Sequence, residues 1–247
     1  MPLRAIETAT FNGGSSQSVA MPATAEVGDI ATLIVAAYGT VSTDLSGSGW
    51  TLHGNTEPTT SNARITVWTK TVTAPDIAAP VAITASNGRW AMAIMVRYGV
   101  TAMDASPTFT TISNLATTIT APDITTTTAG AELVSIYGCQ VYLGAAIVTY
   151  ALPSGQTKIV EICSGSSSNS NATLAIGEEI VATVGSVGAR QATTTNIVPE
   201  NDGRVRTGAV TLAFTSSVVA QVPTVRVRQS GAWVQKPLKA RAGGTWV

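Results

Sequence analysis

The sequence predicts an all-β protein: an antiparallel double-sheet sandwich of jelly-roll type built from two similar halves, followed by small C-terminal β-hairpin repeats. Three observations carry this prediction. A long apolar run, GDIATLIVAAYG, Gly28 to Gly39, is closed by glycine at both ends. Alternation puts Ile30, Ile34, Ala36 and Tyr38 on one face and Ala31, Leu33, Val35 and Ala37 on the other, so neither face suits water and the run reads as a central strand. Turn signals recur every eight to twelve residues, which suits fourteen short strands. No helix of normal length is supported, because the stretch with the best helical propensity, Leu174 to Val184, contains Gly177 and β-branched residues.

In chain order, Arg4 to Phe11 opens the first strand and NGGSS turns it into Ser18 to Met21, which Pro22 ends. After the central strand, the loop TDLSGSG delivers Trp50 into GWTLHGNTEP. The segment ARITVWTKTVTAPD places Ile65, Val67 and Thr69 on one face and Trp68, Lys70 and Val72 on the other, until Pro75 stops it. Val81 to Ala85 is short. Asn87-Gly88 is a hairpin signal, and RWAMAIMVRYGV follows with Trp90, Met92, Ile94, Val96 and Tyr98 on a shared face.

The second half repeats this order. AELVSIYG, Ala131 to Gly138, stands for the central strand and has the same tyrosine-glycine ending. PSGQTKIVEI matches SGWTLHGNTE, ATLAIGEEIVAT matches ARITVWTKTVTA, and RTGAVTLAFT matches the last strand of the first half. Aligning Ile65 with Leu174 brings Val67 onto Ile176 and Val72 onto Val181 without a gap. The expected division is a body over 1–222, with halves at about 1–107 and 108–222, and a segment over 223–247 that Pro223 sets off.

Composition restricts the function. Charged residues are 11% of the 247, against roughly 25% in ordinary soluble domains, and net charge is zero. Weakly charged, near-neutral chains associate, so part of the surface is expected to lie against other protein. The last acid is Asp202, beyond which come Arg204, Arg206, Arg226, Arg228, Lys236, Lys239 and Arg241. Solvated or partner-facing charge is the expected role of this basic end, not nucleic acid. Cys139 and Cys163 are expected to be free thiols. The N-terminus lacks the apolar stretch of an export signal, and no segment approaches the ~20 apolar residues of a membrane helix, so a soluble chain without membrane insertion is expected.

The final stretch carries one motif twice. RQSGAWV and RAGGTWV repeat Arg228 as Arg241, Gly231 as Gly244, Trp233 as Trp246 and Val234 as Val247. Each copy reads as strand, glycine turn, strand, too small to bury its own tryptophan.

With these motifs in view, the chain resembles minor tail proteins of tailed bacteriophages, particularly those infecting actinobacteria. Such proteins end in tandem Arg-x-Gly-Gly-x-Trp-Val patterns after a β-sandwich body. RAGGTWV fits in full, whereas RQSGAWV has Ser230 in place of one glycine. The body is similar to that group through VGDIATLIVAAYG, SGW, ITVWTKTVTAPD and MVRYGV. The resemblance implies a non-enzymatic structural virion protein of the tail tip, baseplate or fibre, made in the host cytoplasm and located in the virion tail. Its implied partners are other tail proteins and further copies of itself. Two alternatives stand beside it: a receptor-recognition module that binds a host cell-surface glycan, and a capsid decoration or head-fibre protein.

Candidate sites follow from the same residues. Arg226, Arg228, Trp233, Lys236, Lys239, Arg241 and Trp246 are expected to dock the chain onto a partner, since tryptophans flanked by arginines commonly anchor interfaces. Trp50, Trp68 and Trp90 are expected in the core, with a glycan platform as the alternative use of their rings. No catalytic residue, metal ligand or cofactor is assigned. His53 is the only histidine, no G-x-S-x-G elbow is present, and the adjacent Glu178 and Glu179 must point to opposite faces of a strand. Asp104 and Asp123 sit at loop edges, and Asp29, Asp44 and Asp76 are the scattered aspartates that could converge on calcium.

Overall fold

The computed structural model describes residues 3–38, 45, 48–56, 63–84, 88–112, 117–141, 148–165, 171–195, 206–216, 224–229, 232–237, 241–242 and 245–246; for 38, 63, 64, 112, 140, 141, 206, 216 and everything after 223 it describes backbone alone. Seven strands make up the first part: β1 (Leu3–Asn12), β2 (Ser16–Ala20), β3 (Ile30–Tyr38), β4 (Thr51–Asn55), β5 (Ala63–Thr71), β6 (Pro80–Thr84) and β7 (Arg89–Arg97). The second part holds β8 (Val100–Ile112), β9 (Thr118–Ala121), β10 (Thr125–Thr126), β11 (Ala131–Val141), β12 (Thr149–Ala151), β13 (Thr157–Cys163), β14 (Asn171–Val181), β15 (Gly185–Ser186), β16 (Arg190–Thr195) and β17 (Arg206–Ser216). Two short hairpins follow, β18 (Thr224–Gln229) with β19 (Ala232–Pro237) and β20 (Arg241–Ala242) with β21 (Thr245–Trp246). Among the described residues helical backbone is limited to the 3-10 turn Ala74–Asp76 and a single residue at Ser48, so the protein is all-β, as expected. The described residues hold seventeen strands up to β17 and twenty-one in all, more than the fourteen that the turn signals suggest.

Two five-stranded antiparallel sheets dominate. The first has the order β1-β7-β3-β5-β4 and the second β8-β17-β11-β14-β13, read from the edge that each part enters first. Pairing is nested in both: β1 with β7, β2 with β6 and β3 with β5, then β8 with β17, β9 with β16, β10 with β15 and β11 with β14. Each part is therefore one long hairpin rolled on itself.

Period-two alternation explains how the layers stack. Ile34, Ala36, Ile65, Val67, Ala91, Ala93 and Met95 face Val134, Ile136, Leu174, Ile176, Val210, Leu212 and Phe214 in a core between the large sheets. The alternate residues of the first sheet, Leu33, Val35, Trp68, Trp90, Met92 and Ile94, meet Val19, Met21, Trp50 and Ile83 beneath the β2-β6 ribbon. On the far side, Tyr137, Cys139, Ala175 and Ala209 meet Ile119, Val148, Tyr150 and Ala192 of the small β12-β16-β9 sheet. Four layers result, with both faces of β3 buried as its sequence requires. The seam between the large sheets sets β7 on β14, β17 on β5, β1 on β13, β4 on β8 and β3 across β11. Exchanging the two parts turns each of these contacts into another of the same set.

One correspondence is corrected. Tyr38 of β3 and Tyr137 of β11 are not equivalent positions: matching them would equate Ile34, which faces the seam, with Leu133, which faces outward. The strands correspond with Ile34 matched to Ile136 instead, because an odd offset moves every side chain to the other face. β8 runs through position 107, near the expected division between the halves. Pro107 is accommodated because β8 is an edge strand and its ladder to β17 is irregular between Ala105 and Thr108. By contrast, the ungapped match of Ile65 with Leu174 and Val67 with Ile176 is kept, all four facing the seam.

The body has two ends. Arg97, Ile30, Thr71, Val100 and Ser216 lie at one, and Arg89, Tyr38, Ala63, Ile112, Val141, Asn171 and Arg206 at the other. The chain leaves β17 for its C-terminal segment at the Arg97 end. At Gly138 the sheets approach closely, and a Cβ there would lie 3.0 Å from Ile65 Cδ1 and 3.2 Å from the Thr173 carbonyl oxygen. Gly138→Ala is expected to destabilise the fold by about 1–3 kcal/mol through overpacking of the seam, read as a lowered urea midpoint with an unchanged slope.

Candidate functional site

Three charged side chains are driven into the seam at the Arg97 end. β7 is apolar along its length and finishes on Arg97, whose parity is that of Ala93 and Met95 and therefore points it between the sheets. Glu132 precedes Val134 and Ile136 on β11 by the same step of two, and Glu178 follows Leu174 and Ile176 on β14. Arg97 and Glu132 are fully buried and Glu178 is 3% exposed. Arg97 Nη2 donates to Glu178 Oε2 at 3.0 Å, and Arg97 Nε lies 3.2 Å from Glu132 Oε1. The guanidinium also stands 5.0 Å from the centre of the Phe214 ring and 3.9 Å from the Met95 sulfur.

Neither carboxylate oxygen of Glu132 has a hydrogen bond of good geometry, and nor does Arg97 Nε, so that ion pair rests on charge alone. Burial pushes the Glu178 carboxyl up to about 7; Arg97 opposes this and the neighbouring Glu132 adds to it. One cation thus faces two carboxyls in a buried seam. A usable signal is present in the sequence: three charges at core-facing parity in largely apolar strands. The adjacency of Glu178 and Glu179 requires only that they diverge. They do, for Glu179 Oε1 accepts from Arg190 Nε at 2.6 Å on the opposite face.

The other singled-out residues do not converge. Trp68 and Trp90 are fully buried and Trp50 is 6% exposed, all in the core beneath the β2-β6 ribbon. Their rings offer no face to a sugar, so the glycan-platform alternative for Trp50, Trp68 and Trp90 is corrected: their parity faces a covered side of the sheet. His53 sits at a bulge between Leu52 and Gly54, where Nε2 meets Thr69 Oγ1 at 2.6 Å and burial lowers its pKa. Asp29 accepts from Arg4 and from the Glu26 backbone, and Asp76 pairs with Lys70 and closes the 3-10 turn with Thr73. Asp44 lies outside the described residues. Asp104 lies within β8, not at a loop edge, and accepts from Thr127 in the segment after β10; Asp123, in the loop after β9, accepts from Ser186 and Gly188. Among the described residues no three His, Cys, Asp or Glu side chains gather as a metal site would require.

Cys139 and Cys163 are free. Both are paired with Thr173 on the strand that runs between theirs, so two strand spacings, about 9.6 Å, separate them, beyond the ~7 Å that a disulfide spans. Burial raises the Cys139 thiol to about 11, and Tyr150 and Thr173 share its polar cluster.

In the C-terminal segment, Arg228 is opposed to Trp233 and Arg241 to Trp246, and each ladder leaves two residues between its last pairs, Gln229 with Ala232 and Ala242 with Thr245. Two-residue connections of Ser-Gly and Gly-Gly suit tight hairpin turns. Both motif copies thus form the same arginine-tryptophan register. Lys239 lies outside the described residues, as do the side chains of Arg226, Arg228, Trp233, Lys236, Arg241 and Trp246.

The arrangement defines a layered, sandwich-like all-β protein. Comparison with known protein families, curated proteins and solved structures finds no match to the chain.

Breaking the seam cluster should be costly. Arg97→Met leaves two buried carboxyls without their cation and is expected to destabilise the protein by about 3–5 kcal/mol in chemical denaturation at neutral pH.

Proposed function

We propose that this chain is a non-enzymatic structural protein of a phage virion, a minor tail protein of the tail tip, baseplate or fibre, docked through its C-terminal hairpins. The observation that carries the reading is the repeated hairpin, in which Arg228-Trp233 and Arg241-Trp246 adopt one register thirteen residues apart. Two-stranded ribbons of this size have no second layer of their own, and three or more strands or a packing partner are needed for independent stability. A neighbouring virion subunit supplies that layer. The body's low charge supports the same reading, as do its nested strands, which we assign to a duplicated jelly-roll unit.

A second reading, recognition of a host-surface glycan, is favoured by the body's two ends. The strand ends that flank 57–62, 113–116, 166–170 and 196–205 lie at the Arg89 end, opposite the departure of the C-terminal segment, and these connections are rich in Ser, Thr and Asn. A chain anchored at one end would present the other outward. Attachment to the head as a decoration or fibre uses the same features and differs only in place.

Removing residues 224–247 is expected to abolish incorporation into particles while leaving the thermal transition of the body in place. Full incorporation of the truncated chain would remove the docking role. Labelled imaging of particles carrying the intact chain is expected to show it at the tail; signal on the head would favour the decoration reading.

A further inference from the structure

The seam cluster holds more negative than positive groups, and that imbalance has a mechanical consequence. Arg97 comes from the first sheet and Glu132 and Glu178 from the second, so the three groups join the two sheets at that end. With both carboxylates ionised, the site buries one uncompensated negative charge, which a dry interior strongly disfavours. Holding a single proton makes it neutral. Among the described residues the surroundings supply no other compensation. β17 contributes the Phe214 ring, β7 the Met95 sulfur, and the positions paired with Arg97 on β3 and β1 are Ile30 and Leu3. On β13, Thr157 lies opposite Glu178. The nearest charges on these strands are engaged elsewhere: Arg4 with Asp29 and Glu26, Lys158 with Glu161, and Glu179 with Arg190.

We propose that Arg97, Glu132 and Glu178 form a proton-operated clamp between the two large sheets, shut when the carboxyl pair holds one proton and loosened when that proton leaves. The direction follows from linkage. Glu178 binds its proton more tightly in the closed seam, near pH 7, than in water, where a glutamate titrates near 4.5. The closed state therefore binds more protons between those values, and its advantage, complete below the lower value, is lost as pH rises through the upper one. At the other end of the same seam Arg89 Nη1 donates to the neutral Asn171 Oδ1 at 3.4 Å, and among the described residues no second buried carboxyl pair stands there. Opening is therefore expected first at the Arg97 end, from which the C-terminal segment departs.

Amide hydrogen exchange on the full chain, corrected for its intrinsic pH dependence, tests this. Between about pH 5 and about pH 9, protection of β7, β11 and β14 amides near Arg97, Glu132 and Glu178 is expected to fall on the order of fifty-fold relative to amides near Arg89 and Asn171. Glu178→Gln, a neutral isostere that keeps an acceptor for Arg97, is expected to flatten this difference to within about twofold. Glu132→Gln serves as the second variant if the first does not fold, and should flatten it likewise. A constant ratio in the unaltered chain, or a pH-dependent ratio that survives in a folded Gln variant, would overturn the clamp.

Discussion

The contact on which the rest depends is the face-to-face packing of the two five-stranded sheets. Because that seam buries one side of each sheet, and the small β2-β6 and β12-β16-β9 sheets cover the other sides, the central strands have no wet face. The low charge of the chain follows from this, since a strand buried twice cannot alternate apolar with ionised residues. Even hydroxyls are drawn inside, and Thr32 and Thr66 are fully buried. Both rolled units depend on the same seam, because each presents to the other an apolar surface that water would otherwise meet.

A seam of interchangeable contacts raises the question of why unlike halves pair. Apolar packing alone distinguishes them weakly, whereas a buried charge distinguishes them strongly. Arg97 is matched by register to Phe214, not to another arginine, and the carboxyls belong to the second half alone. Two first halves would bring two arginines together and two second halves four carboxyls. The cluster therefore costs desolvation yet specifies the partner. Its incomplete hydrogen bonding, at Glu132 above all, fits a device kept for registry and response more than for net stability.

In the function proposed above, the C-terminal hairpins would dock the chain from the end where the sheets are joined by charge, and the strand ends on the far side would face outward. The polar groups that the body buries position its layers. Cys139, Tyr150 and Thr173 illustrate this: a thiol, a phenol and a hydroxyl satisfy one another inside the outer core, and burial raises the thiol out of reach of nucleophilic chemistry.

By itself the sequence determined strand content, the facing of β3, β5 and β7, the core placement of Trp50, Trp68 and Trp90, and the hairpin form of both C-terminal repeats, because alternation and turn chemistry are local properties. It also holds the parity that sends Arg97, Glu132 and Glu178 inward. Only the tertiary structure decided that these three meet, that Thr173 stands between Cys139 and Cys163, and that the tyrosine-glycine endings lie out of phase. Each of those facts depends on which strands become neighbours and in what register, and pairing between residues some eighty positions apart is set by the packing of whole sheets, which no local pattern encodes.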